Sequence, residues 1–549
     1  MPWAGLTYSP TTTSLGWWTG ETVITEPAEM RRALRSLSQP LYVLKQDDGW
    51  ALGLGGTATF AAETTTGDAS PILAYVPALQ LRQLGDPAFC LDHHLRFPYM
   101  VGAMANGISS TELVAAAAKA GLLASFGAAG LRLPQIERAI DLLEAELGDL
   151  PWCVNLIHSP NEPAHEAAVV DLYLRRNVRR VEASAFLDLT LPAVLYRVHG
   201  IHRGRHGEVV APNCIIAKAS RQELATKWFS PPPPRLLAEL VAAGRITQGQ
   251  AELAGQIPMA QDLTAEADSA GHTDNRPALT LLPTMLAVRD RLQEQFGYAK
   301  PLRVGLGGGI GTPASAAAAF AMGAAYIVTG SINQACMESG SSDRVRLMLA
   351  QTQQADVIMA PAADMFEMGV KLQVIKRGTM FPMRAAKLFE LYRAHNSLEE
   401  IPRHEREAIE KTIFRDSLEN IWQKTRQFFM ELDPSHIARA ERDPKHEMAL
   451  IFRWYLGLSS RWANSGDATR QVDYQIWCGP AMGAFNEWAR GSFLEEPANR
   501  RVGVIALNLL HGAGVTTRIN ALRNQGVRLS SDLAGITPQS PAELEEQLR

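Results

Sequence analysis

Eight short apolar runs recur between residues 98 and 329, and helical periodicity fills most of the gaps between them. The runs are Pro98–Met104, Leu122–Gly127, Trp152–Ile157, Arg180–Ala185, Cys214–Ala219, Leu263–Ala267, Arg303–Gly307 and Ala325–Thr329. Their apolar residues are continuous instead of alternating, so each strand is to be buried on both faces. The intervening segments include Ser110–Ala120, Leu133–Leu147, Glu166–Arg176 and Leu279–Phe296, all helical in period. Eight strands alternating with helices predict an α/β fold whose parallel sheet closes as a TIM (β/α)8 barrel. A doubly wound open sheet shows the same alternation and is the competing architecture.

The last two runs belong to one stretch, RVGLGGGIGTPASAAAAFAMGAAYIVTGSINQA, from Arg303 to Ala335. It reads as strand, glycine turn, Ala-rich helix, strand and a second small-residue turn. Gly307, Gly308 and Gly309 let a phosphate approach the main chain. Gly330 and Ser331 end the next strand in the same way. In such barrels the loops after strands seven and eight are the usual phosphate site, so the pattern suggests a phosphorylated cofactor.

The other strand ends supply the remaining candidates. Ala103, Met104 and Ala105 are small or flexible residues ahead of a polar turn, where a flat ring can lie against backbone. Asn155 ends strand three as an amide partner for a heterocycle. Lys218 ends strand five; it either meets a flavin, stabilising its reduced anion, or snorkels to the barrel rim. Strand six runs into Glu266-Ala-Asp268-Ser-Ala270-Gly271-His272. His272 follows a pair of small residues and is the candidate proton donor. Asp274, Asn275 and Arg276 beyond it are candidate substrate contacts, with mutual pairing of Asp274 and Arg276 as the alternative.

Residues 1–85 read as a leader with one β-rich patch, Leu41–Phe60; residues 86–340 as the barrel; and residues 341–549 as a helical extension. Its helical segments are Asp343–Gln353, Met383–His395, Glu405–Met430 and Glu447–Trp462, with Gly503–Leu510 ending at a glycine turn. An insertion near 221–258, containing the stiff run Pro231–Pro234, leaves the carboxyl end of strand five and is a candidate lid. Net charge is −4, so no global basic field points to nucleic acid. The basic run Leu174–Arg180 reads as a solvated helix end. Five scattered cysteines without a CxxC pair fit a reducing cytoplasm and no zinc site. No signal peptide is apparent, and no stretch reads as long and apolar enough to span a bilayer, so no membrane insertion is expected. His93 and His94 lack partners at metal-ligand spacing, and the Ser109-Ser110 and Ser341-Ser342 pairs fit helix caps.

These strand ends resemble those of the nitronate monooxygenase and FMN-dependent enoyl reductase barrels. The resemblance rests on PYMVGAMANGISSTELVAAAAKAGLLASFG, the Asn155 strand, EADSAGHTDNRP and LGGGIGTPASAAAAFAMGAAYIVTGS. It implies FMN, held at its phosphate by Gly308, Gly309, Gly330 and Ser331, with His272 as the active-site histidine. Met365–Tyr392 (MFEMGVKLQVIKRGTMFPMRAAKLFELY) and Tyr474–Glu495 (YQIWCGPAMGAFNEWARGSFLE) are similar to the PfaD-type enoyl reductases, which act in trans in polyunsaturated fatty acid and polyketide synthases. That family implies NADPH, or NADH, as reductant and acyl carrier protein domains as partners. It leaves the extension as a carrier-docking surface or a homodimer contact. One departure stands out: Ala270-Gly271 replaces a pair of glycines, which a negative φ at Ala270 tolerates. Rival readings are a nitronate monooxygenase-type flavin oxidase, a non-catalytic synthase scaffold, and an IMP-dehydrogenase-like barrel, for which neither Cys214 nor Cys336 is well placed.

Overall fold

The computed structural model describes residues 6–8, 14–47, 49–61, 68–158, 160 and 162–548. The eight apolar runs form one closed barrel. Its strands are β1 Tyr99–Val101, β2 Leu123–Phe126, β3 Cys153–Ile157, β4 Arg180–Ser184, β5 Cys214–Ala219, β6 Asp262–Glu266, β7 Arg303–Gly307 and β8 Ile327–Thr329. All neighbours are parallel, and β8 closes on β1 with Ile327 beside Tyr99 and Thr329 beside Val101. Gly102, Ala103 and Met104 leave the sheet and form the rim instead of extending β1.

A buried charge cluster seals the floor. Asp262 and Arg303 open β6 and β7 and pair at 2.6 Å, with His93 2.9 Å from Asp262 and Asp92 2.7 Å from Arg303. Burial penalises the Asp262 charge, yet Arg303 and His93 outweigh it and hold the carboxyl far below its ordinary range. His93 is therefore a structural partner.

The helices lie where the sequence places them, including Leu133–Leu147 and Ala278–Phe296. Ser110 and Ser342 cap helices, accepting from the N–H groups of Leu113 and Val345. Past the helix Pro163–Arg175, Arg176 is met by Asp141 and Glu144, so the basic run is a solvated helix end. The insertion folds as helices Gln222–Phe229, Pro234–Ala242 and Gln248–Ala254. Trp228 and Phe229 are fully buried in the main core, and none of residues 221–258 lines the cavity at the barrel mouth. The insertion is an outer buttress and not the expected lid.

The mouth is roofed from farther along the chain. A two-stranded hairpin, Val357–Pro361 and Lys371–Ile375, precedes the helices Phe381–Ala394, Leu418–Leu432 and Pro444–Ser465. Glu405–Met430 is broken into Arg403–Ile409, a π-helical turn and Leu418–Leu432, because Arg415 takes φ 59°. Gly503–Leu510 instead continues through its glycines as the 23-residue helix Val502–Asn524. A Cβ at Gly512 would sit 2.6 Å from Pro313, and one at Gly514 would sit 2.5 Å from Leu37. The glycines therefore serve close approach, not termination. This helix also corrects the expectation about membrane spans: it is long and apolar enough to cross a bilayer, although 72% of that window is buried inside the fold.

Strands Gly16–Thr19, Val23–Ile24, Leu41–Gln46, Gly49–Leu54, Thr57–Thr59 and Ser70–Val76 form a six-stranded antiparallel sheet accompanied by the helix Pro27–Arg35. Its core includes Leu522, Val527 and Leu533 from the far end of the chain.

Candidate active site

A cavity of about 910 Å³ lies between the carboxyl ends of the barrel strands and the roof. Ala103, Met104, Ala105, Asn155, Lys218, His272, Gly307, Gly308, Gly309, Gly330 and Ser331 all line it. Asp274, Asn275 and Arg276 do not. Asp274 pairs with Arg221 at 2.8 Å, not with Arg276, and Asn275 accepts from the Gln373 amide at 2.8 Å.

The glycine turn after β7 is an anion cradle in its geometry. Gly308 and Gly309 take φ of +92° and +75°. A Cβ on Gly308 would strike the Asp268 backbone at 2.8 Å, whereas Cβ atoms on Gly309 and Gly330 would meet nothing within 4 Å. Among the described residues, the N–H groups of Gly308, Gly309 and Ile310 have no hydrogen-bond partner. Free donors beside positions without side chains suit a phosphate. The roof braces this cradle: Gly479 N–H donates to Ser331 Oγ at 2.9 Å, and Gly311 allows Ala481 to approach.

Lys218 neither snorkels freely nor faces the cavity alone. Its Nζ lies 3.1 Å from Glu266 and 3.7 Å from Glu182, with the lysine side chain only 13% exposed. Burial disfavours its charge, but the two carboxylates outweigh burial and raise its pKa. Glu182 also accepts from Ala103 N–H at 2.6 Å, fixing the backbone of the rim. Asn155 Nδ2 donates to the Glu182 carbonyl at 3.0 Å and to Ser184 Oγ at 2.7 Å, leaving Oδ1 as its free acceptor among the described residues.

His272 Nε2 lies 2.9 Å from Asp364 Oδ2 and 3.2 Å from Oδ1. Burial lowers the imidazole pKa, but Asp364, aided by Glu266, wins over burial and over Lys218, and the net direction is upward. A Cβ at Gly271 would lie 2.7 Å from Glu266 Oε1, so a larger residue there would have to displace that carboxylate. Ala270 is absent from the residues with positive φ, so its replacement of a glycine is unstrained.

Glu182, Glu266, Asp364 and Gln373 were not singled out from sequence. Glu182 and Glu266 carried a signal: each is an acid inside an apolar strand, and such burial needs a partner. Asp364 stands just ahead of Met365–Tyr392, a lone acid in the run PAADMF.

Fold and site together define a (β/α)8 barrel with a glycine turn of free N–H groups and a roofed cavity containing a histidine–carboxylate pair. A model of the helical domain inserted in [acyl-carrier-protein] S-malonyltransferases matches residues 395–474, within the roof. The chain is 48% identical over 503 residues to one of the polyunsaturated fatty acid synthase subunits of Thraustochytrium sp., an overlap of 90% of this chain and 33% of that protein. It is 45% identical to the polyketide biosynthesis protein PksE of Bacillus subtilis, covering 78% of this chain and 55% of that one. The crystal structure of the enoyl reductase domain of MlnA, from the macrolactin cluster of Bacillus amyloliquefaciens, superposes with a TM-score of 0.77 at 37% identity, covering 80% of this chain and 99% of that domain. The chain belongs to the PfaD-type family of enoyl reductases of polyunsaturated fatty acid and polyketide synthases. It spans about a third to a half of the length of these curated relatives.

Proposed function

We propose that the chain is an FMN-dependent, NADPH- or NADH-consuming enoyl reductase that acts in trans on enoyl thioesters carried by acyl carrier protein domains of a polyunsaturated fatty acid or polyketide synthase. The observation that carries this reading is one cavity joining the cradle of Gly308–Ile310, the His272–Asp364 pair and the roof residues Phe428, Phe429 and Trp454. The likeness to the MlnA enoyl reductase domain supports it, and so does the roof's likeness to a domain of a carrier-protein-dependent transferase.

The residues present fit FMN. Free N–H groups and glycines would hold the phosphate, and the Ala103–Ala105 backbone offers a flat face. Asn155 Oδ1 and Lys218 offer an acceptor and a cation for the polar edge of the ring. When bound, the flavin supplies the two-electron chemistry between nicotinamide and the enoyl β-carbon. The protein's own part is to orient and protonate. His272 holds a proton for the substrate α-carbon. Phe428, Phe429 and Trp454 line the cavity and keep water from the acyl chain. All five cysteines are free, which supports a reducing cytoplasm as its compartment.

The deciding experiment is anaerobic stopped-flow spectroscopy of the full chain loaded with FMN. Bleaching by NADPH and recolouring by a crotonyl thioester on a separate carrier protein are expected. Bleaching by a nitronate but not by a reduced nicotinamide would overturn the reading, as would a chain that binds no flavin.

A further inference from the structure

We infer that Asp364, carried by a hairpin outside the barrel, is the positioning residue for His272, so that the proton-donating unit is assembled from two separate parts of the fold. Its carboxylate engages Nε2 at 2.9 and 3.2 Å through its two oxygens. Nδ1 has no hydrogen-bond partner among the described residues. Accepting from Nε2–H fixes the ring orientation and leaves Nδ1–H as the bond that breaks. The substrate enolate's electron pair forms the new C–H bond at the α-carbon with that proton. The imidazole returns to the neutral tautomer that keeps Nε2–H on Asp364.

The carboxylate is itself held in place. Asp364 Oδ1 accepts from Met365 N–H at 3.1 Å, and Ala362 N–H closes the loop onto Val370 at 2.9 Å. Gln373, on the returning strand of the hairpin, donates to both Asp268 and Asn275 and ties the hairpin to the loop that bears His272. This gives Asn275 a role in that tie.

The groups facing His272 are Asp364 and Glu266, which favour its charged form, and Lys218, which opposes it. The inference rests on the enoyl reductase reading for its substrate but not for the pair itself. The test is NMR titration of the His272 ring in the full chain, labelled with ¹⁵N-histidine and assigned by His272→Gln, for wild type, Asp364→Asn and Asp364→Glu. Asp364→Asn should move the His272 titration to lower pH, and Asp364→Glu should restore it in part. The alkaline limb of kcat should move with it, because the acid is lost as pH rises through the pKa of His272. Above neutrality kcat should fall about tenfold to a hundredfold in Asp364→Asn. An unchanged His272 titration in folded Asp364→Asn, or a folded Asp364→Asn with an unmoved pH limb, overturns the assignment. If the titration shifts as expected while wild type reduces no enoyl thioester, the positioning role stands and the enoyl reductase reading falls.

Discussion

Lys218 shows how a strand-end cation becomes a structural necessity. It is held between Glu182 and Glu266 inside the barrel. Lys218→Met would leave two buried carboxylates without their cation, and breaking a buried ion pair from one side costs about 3–5 kcal/mol. Urea unfolding should show a loss of that order, and adding Glu266→Gln should recover part of it by removing one of the charges. A loss below about 1 kcal/mol, the size of an exposed pair, would mean that the cluster is solvated. The same residues mark the limit of reading the site from sequence. Lys218, Asn155 and His272 were legible because each is polar and lies within an apolar strand or just beyond its carboxyl end. Asp364 was not, because it lies 92 residues from His272 and meets it only through tertiary folding.

Elements were legible where the hydrophobic period is clear, as for the barrel strands and for Leu133–Leu147. They were misread where glycine serves contact instead of termination, as in Val502–Asn524, and where two five-residue strands were hidden among amphipathic helices. Glycine again has positional meaning in the roof helix Pro444–Ser465. Gly457 lines the cavity, and a Cβ there would meet nothing within 4 Å. Gly457→Ala should therefore stabilise the chain by about 0.5–1 kcal/mol through helix propensity, read as a higher midpoint in urea. Gly457→Trp should fill the acyl space. It is expected to depress turnover of a long enoyl thioester at least tenfold more than that of a crotonyl thioester. Equal effects on both substrates would show that the acyl chain does not pass this face.

At the scale of the molecule, the beginning and end of the chain are clasped together, and a single buried cation makes much of that clasp. Arg518, 3% exposed, donates to the carbonyls of Ala33, Ser36, Leu37, Gln39 and Pro77, with the shortest bonds at 2.7 Å to Gln39 and 2.8 Å to Ser36. No carboxylate pairs with it among the described residues, and burial brings its pKa down to about 10. Nothing in the sequence marks this contact, since one arginine near the end of an apolar helix reads as a helix terminus. The backbone it satisfies belongs to the short segments that lead into and out of the antiparallel sheet, so the sheet's docking depends on it while the closed barrel does not. Arg518→Leu keeps the apolar stem but strands the carbonyls of Ser36, Gln39 and Pro77, while those of Ala33 and Leu37 keep the N–H groups of Ser36 and Leu79. The cost is about 1–3 kcal/mol for each buried group left without a partner. Hydrogen exchange should then speed up across Leu41–Gln46 and Ser70–Val76, the sheet strands beside this seam, while β3 to β7 keep their protection. Uniform acceleration through the barrel would show instead that sheet and barrel unfold as one cooperative unit, with Arg518 stabilising both.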